Sequence, residues 1–152
     1  MLSDSHGDYE QIASIVGRHR EDADAFLHLG DGEEEFLELS SLYPELDMRS
    51  VRGNCDWRSS APATGMMQAH GTKIMYTHGH NYQVKIGRAI LWDAAYSLGA
   101  KVALFGHTHT AMSSFDSGIH LINPGSVAIG YRRSYAIIDI GEDYITPQII
   151  PL

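Results

Sequence analysis

Cysteine is nearly absent from this sequence: Cys55 stands alone among 152 residues. No internal disulfide can form, so a disulfide framework is excluded and a reducing, cytoplasmic setting is expected. Long apolar runs are missing as well. Nothing approaches the roughly 20 residues that cross a bilayer, and no basic-then-apolar leader precedes the first motif, so no membrane partner is expected. Basic charge is scarce: 11 Lys and Arg stand against 19 Asp and Glu, a net charge of −8. Binding of long nucleic acid usually needs a basic surface, because phosphate contacts dominate that affinity, so no such partner is expected. Linkers, repeats and low-complexity stretches are lacking too, and the length suits one domain over residues 1–152.

Histidine is abundant, with nine in the chain. Five of these fall in short patterns: His6, then His78 with His80, then His107 with His109. His19, His28, His70 and His120 lie outside the motifs and read as surface or core residues. Hydrophobic periodicity predicts helices over 9–20, 33–42 and 87–98, the first from Ile12, Ile15 and Val16 at helical spacing. Short apolar runs predict strands over 25–29, 48–52 and 102–105, and a hairpin over 66–69 and 73–76 around His70-Gly71. Four further strands follow, over 111–115, 119–122, 134–140 and 144–150. The chain thus passes from βαβ units to antiparallel strands. The expected class is α/β (α+β), a two-sheet sandwich with helices outside.

Four apolar runs each end in polar, ligand-type residues: Gly30-Asp31, Gly53-Asn54, Thr77-His78-Gly79-His80 and Gly106-His107-Thr108-His109. Open sheets place their sites at the carboxyl ends of strands, so these ends can converge. The steps from Asp4 to Asp31, Asn54, His78 and His107 are 27, 23, 24 and 29 residues, each about one strand excursion. Asp4-Ser5-His6 reads as a carboxylate and an imidazole on one side of extended backbone, or as a surface turn. Asp31 reads as a helix cap when alone and as a bridging carboxylate in this company. Asn54 is an amide ligand or a turn residue. Paired histidines directly after a buried strand are hard to explain by packing. Asn123-Pro124-Gly125-Ser126 is a turn, a rim of the site or a support for a ligand histidine.

Taken in order, D-x-H, G-D, G-N, H-x-H and G-H-x-H resemble the calcineurin-like metallophosphoesterases, and in particular the small YfcE-like phosphodiesterases. The shared stretches are Gly-Asn-Cys-Asp, Thr-His-Gly-His and Asn-Pro-Gly-Ser. The resemblance covers nearly the whole chain and implies the αββα sandwich. It also implies that Asp4, His6 and His109 hold one metal, that Asn54, His78 and His107 hold a second, and that Asp31 bridges them. The implied cofactors are two divalent ions, Mn²⁺ first, with Fe²⁺, Ni²⁺, Co²⁺, Zn²⁺ and Mg²⁺ as alternatives. The implied reaction is attack on phosphorus by a hydroxide shared between the metals, with a small phosphate ester as substrate.

Two departures from the family pattern bear on the chemistry. Cys55 stands where the wider family often has a histidine thought to protonate the leaving group, so Cys55 or His80 is the candidate acid, with His80 equally readable as support. Only Met1, Leu2 and Ser3 precede Asp4, so the first strand is expected to be truncated and the first metal to be the less firmly held. A longer form starting upstream is expected to be more stable and to bind metal more tightly. Arg52 reads as a surface residue or a phosphate contact. Tyr82, Lys85, Tyr131, Arg132 and Arg133 are candidates for substrate contact. A phosphodiesterase is the leading expectation, and a phosphomonoesterase or nucleotide pyrophosphohydrolase the alternative. A metal-binding interaction scaffold, the role of retromer's small subunit on a similar fold, is the reading from another class. A homodimer is compatible with the sequence.

Overall fold

Asp8 begins the first helix by accepting a hydrogen bond from the Gln11 amide at 3.1 Å, and Ile12, Ile15 and Val16 are buried along one face. The computed structural model describes residues 1–128 and 132–152, and Tyr131 lies outside the described residues. The described elements are α1 (Tyr9–His19), β1 (Phe26–His28), α2 (Glu33–Leu42), β2 (Met48–Ser50), β3 (Thr64–Ala69), β4 (Thr72–Thr77), α3 (Ala89–Ser97), β5 (Val102–Leu104), β6 (Met112–Asp116), β7 (Ile119–Asn123), β8 (Ser134–Ile140) and β9 (Ile145–Pro151). A single 3₁₀ turn, His80–Tyr82, follows β4.

One sheet has the order β3-β4-β5-β7-β6. Its inner strands β4, β5 and β7 are parallel, and β3 and β6 close its edges as antiparallel partners. The second sheet is assembled around the first residues of the chain. β1 pairs with β2 in parallel, and β8 pairs with β9 antiparallel. Between these pairs runs the short segment Met1-Leu2-Ser3. Leu2 donates to Leu27 and accepts from Leu29, both at 2.9 Å, while Met1 exchanges bonds of 2.7 and 3.0 Å with Ala136. These first residues form a stub held on both sides.

Three apolar layers follow. Leu27, Leu29 and Val51 of the second sheet meet Ile74, Tyr76, Val102, Leu104 and Ile122 of the first. Ile12, Ile15 and Val16 of α1, with Phe36 and Leu39 of α2, pack with Leu2, Phe26 and Tyr135. Leu91 and Ala95 of α3 pack with Met75, Ala103 and Leu121. This is a sandwich with helices on its outer faces, the architecture expected. The carboxyl ends of β1, β2, β4 and β5 all deliver their loops to one end of the interface between the sheets.

Candidate metal centre

Asp4 follows the stub and is fully buried. Its Oδ2 accepts from Ser3 Oγ at 2.6 Å and from the His107 amide at 3.1 Å. Its Oδ1 has no hydrogen-bond partner, although His109 Nε2 lies 3.1 Å away and His78 Nε2 3.9 Å away. An acceptor buried among imidazole nitrogens without hydrogen-bond geometry is aimed at a common cation rather than at its neighbours. Ligand atoms of Asp4, His6 and His109 all lie within 4.8 Å of one another, and so do those of Asp31, His78 and His107.

Asp31 presents two different oxygens. Oδ1 accepts from the Cys55 amide at 2.7 Å, and Oδ2 lies 3.3 Å from His78 Nε2. The same His78 nitrogen lies 3.2 Å from Asn54 Oδ1, while its Nδ1 sits 2.7 Å from the Leu29 carbonyl. That carbonyl accepts the Nδ1 proton and fixes the ring, leaving Nε2 for a ligand. His107 packs edge-on against His78 with centroids 4.9 Å apart. The paired histidines of G-H-x-H thus point to different triads, His107 towards Asp31 and His109 towards Asp4.

The charges are poised for a cation. Burial pushes the Asp4 carboxyl upward, against the opposing pull of His78. Burial also works to raise Asp31, but its bonds to His78 and the Cys55 amide win and hold it well below the usual carboxylate range. For His78, burial works to lower the pKa, and the two carboxylates outweigh it, so the imidazole sits above its ordinary value. The carboxylates that raise it would act in the same way on a divalent ion placed at Nε2. His107 is pushed down to about 4, by burial first and by His78 next, so it is a neutral ligand at neutral pH.

Backbone conformation at the site differs from the expectation. Asp4 and His6 do not lie on extended chain, since their φ angles are +55° and +45°. Asp31, His107 and His109 are also left-handed, at +56°, +66° and +55°. Each such non-glycine residue costs roughly 1–2 kcal/mol and persists only where its surroundings over-determine it. Side chains at i and i+2 converge here through that left-handed geometry, held by bonds of 3.0 Å from the Asp4 amide to the Gly30 carbonyl and from the His6 amide to the Asp31 carbonyl.

Two anchoring residues carried little signal in the sequence. Asp56 accepts from the amides of Asp31, Gly32, Glu33 and Gly53 at 2.7 to 3.2 Å. It thereby caps α2, whose N-cap Gly32 offers no side chain, and leaves the Asp31 carboxylate free for the site. His28 is buried, accepts from the Gly30 amide through Nδ1 at 3.1 Å, and reaches Ser5 Oγ through Nε2 at 2.9 Å. Because Nδ1 accepts, the ring proton belongs on Nε2, which donates to Ser5. The ring ties the Asp4-Ser5-His6 loop to the Asp31 loop. Asn123 donates to the Gly106 carbonyl at 2.8 Å and to Thr108 Oγ1 at 3.1 Å, so it holds the backbone around His107 rather than an imidazole. Ser126 Oγ donates to the Asp4 carbonyl at 2.8 Å.

The other candidates lie around this centre. His80 has its Nδ1 buried without a partner, and its ring lies 5.4 Å from that of His78 and 6.1 Å from that of His107. Burial and then His78 push its pKa down. Cys55 is exposed, with its thiol pushed up to about 11 by burial and by Asp31. Lys85 and Arg52 are exposed but close enough to act on His107 and His80, respectively. Tyr82 bonds Thr64 through its hydroxyl at 3.0 Å, and Arg132 and Arg133 are exposed on the approach to β8. A cleft of about 690 Å³ opens beside the centre, lined among others by His6, Asp31, Cys55, Trp57 and Arg58.

A sequence profile described as "Calcineurin-like phosphoesterase superfamily domain" matches residues 1–143. The chain belongs to this superfamily. One relative, "Probable metallophosphoesterase YsnB" of Bacillus subtilis (strain 168), is 36% identical over 150 residues, covering 96% of this chain and 86% of the relative. The crystal structure of a predicted phosphoesterase from Streptococcus pneumoniae TIGR4 superposes with a TM-score of 0.86 at 29% identity, covering 99% of this chain and 86% of that one. The phosphoesterase YfcE from E. coli shares the fold, with a TM-score of 0.68 at 21% identity over 97% of this chain and 96% of its own. The two carboxylates, four imidazoles and one amide gathered here are a donor set that fits divalent ions.

Proposed function

We propose that the chain is a phosphodiesterase that works with two divalent ions, Mn²⁺ foremost. The observation that carries this reading is the pair of ligand triads, Asp4/His6/His109 and Asp31/His78/His107, held beside each other by the 3.9 Å approach of His78 to Asp4. Asn54 would join the second set through Oδ1, which lies 3.2 Å from His78 Nε2, and Asp31 would serve both ions. When bound, the ions would supply an activated water and positive charge for the phosphoryl oxygens. The chain's own residues do the rest. Asp4 and Asp31 bring two negative charges and the other five ligands none, so a phosphate meets net positive charge in an otherwise acidic protein.

The cleft beside the centre has room for a second ester substituent, and its lining sets Glu33, Glu34, Glu35 and Asp56 against Arg58. Carboxylates there disfavour a substrate with extra phosphate charge, which supports a diester over a monoester or a nucleotide polyphosphate. Of the two candidate acids, His80 is the better one. The Cys55 thiol, at about 11, holds its proton too firmly to give it up at neutral pH, whereas His80, with Nδ1 unpartnered beside the second triad, can carry a proton to the leaving group once a bound phosphate's negative charge offsets the burial that lowers its pKa. A reducing compartment fits the single free thiol.

The test is hydrolysis of bis-p-nitrophenyl phosphate with and without Mn²⁺, run beside the monoester. A Mn²⁺-dependent rate that is higher for the diester is expected. Turnover of neither ester by folded, metal-supplied chain would overturn the reading. His80→Gln should slow esters of poorly leaving alcohols more than nitrophenyl esters, and an equal loss on both would assign His80 a supporting role.

A further inference from the structure

We propose that Cys55, His6 and Asp31 form a third, softer ligand triad at the mouth of the centre, one that captures a thiophilic divalent cation such as Cd²⁺ or Zn²⁺. The inference rests on the reading of the centre above, because the triad borrows His6 from one ligand set and Asp31 from the bridge. Sγ of Cys55 and ligand atoms of His6 and Asp31 all lie within 4.8 Å of one another. Atoms so spaced need move towards one another by only a few tenths of an ångström to reach the roughly 2.0–2.3 Å that Zn–S, Zn–N and Zn–O bonds require.

The sulfur is held in place. The Cys55 amide donates to Asp31 Oδ1 at 2.7 Å, and Asn54 Nδ2 donates to Sγ at 3.3 Å. Access favours capture, since Cys55 and His6 are exposed and line the cleft while Asp31 forms its buried floor. Asp31, Asp56 and Asp4 hold the thiol proton, but the same negative charge draws a divalent cation that can displace it.

Ligand softness divides the ions between the two sets that share His6. Oxygen- and nitrogen-seeking ions such as Mn²⁺ and Mg²⁺ gain nothing from a thiol, and they take His6 with Asp4 and His109. A thiophilic ion gains a strong bond by adding sulfur, so it draws His6 towards Cys55. As the sulfur–metal bond forms, the thiol proton passes to solvent. Stoichiometric Cd²⁺ or Zn²⁺ should therefore displace Mn²⁺ from the first set and close the mouth of the cleft.

Cys55 is the only sulfur of its kind in the sequence, so its signature has no other source. The experiment titrates metal-free protein with Cd²⁺ and follows ultraviolet sulfur-to-cadmium charge transfer, with Mn²⁺ binding measured in parallel by electron paramagnetic resonance. A charge-transfer band saturating at one ion per chain is expected. Cys55→Ser should abolish it. His6→Gln should weaken the affinity read from it by at least the roughly tenfold that loss of an outer partner costs a metal site. Bound Mn²⁺ with no Cd²⁺ band overturns this inference and leaves the phosphodiesterase reading standing. A band unaffected by His6→Gln, or one saturating at one ion per two chains, also overturns it. Failure of both ions to bind folded protein would sink the two together.

Discussion

Four backbone N–H groups from two loops converge on the single carboxylate of Asp56, and removing it strands donors that water cannot reach easily. Asp56→Asn should cost about 3 kcal/mol of stability, the scale of charge-assisted hydrogen bonds, as read from denaturant unfolding. It should also weaken Mn²⁺ binding, because Asp31 and Asn54 lose their common anchor. His28 carries a second prediction. Burial pushes its pKa down to about 3, against about 6.5 for an unfolded histidine. The unfolded chain therefore takes up a proton that the folded chain refuses, and stability falls as pH drops from about 6.5 towards 3. His107, also lowered, adds to that slope, so the variant comparison isolates His28. His28→Gln should remove one proton's share, about 1.4 kcal/mol per pH unit, measured by urea unfolding between pH 4.5 and 6.5. Neither anchor was legible in the sequence. Asp56 looks like one more turn residue, and His28 differs from an ordinary core histidine only through partners in Ser5 and Gly30.

Strand and helix positions were legible because hydrophobic period and chain punctuation determine them locally. The predicted helix over 9–20 became Tyr9–His19, and the strands preceding Asp31, Asn54, His78 and His107 all exist, three shortened by one or two residues and the one before His78 extended by a residue at each end. The left-handed backbone of five ligand residues was not legible, since nothing in Asp or His demands it. It follows from how tightly the loops pass one another. A Cβ on Gly53 would collide with Asp31 Oδ1, and a Cβ on Gly106 would collide with Ser3 Oγ and come within 2.8 Å of Asp4 Oδ2. The glycines before Asn54 and His107 thus leave room for the carboxylates of Asp31 and Asp4. Gly106→Ala must turn Ser3 away and break its bond to Asp4. The variant should keep its helical circular dichroism yet lose Mn²⁺ from the first ligand set, halving the ions bound at saturation; full occupancy would show that the close approach is not needed.

Across the whole molecule, one three-residue segment joins the two halves of a sheet and carries the first two ligand residues at its end. The sequence showed that Asp4 stands close behind only three residues. It could not show that β8, which lies more than a hundred residues later, closes the other side of the stub. Leu2 is fully buried there, in the layer that also holds Phe26 and Tyr135. Leu2→Ala should cost about 2–5 kcal/mol and loosen Asp4 enough to weaken Mn²⁺ binding, both visible in one series of unfolding curves with and without the metal. The architecture as a whole brings Asp4, Asp31, Asn54, His78 and His107 from separate strand ends to one place. The most direct test of that account is a Mn²⁺ titration of metal-free protein that follows bis-p-nitrophenyl phosphate hydrolysis and ions bound together. The account predicts no turnover without metal and activity rising in step with occupancy to about two ions per chain. Folded protein that binds no Mn²⁺, or that fills with Mn²⁺ and cleaves nothing, would contradict it.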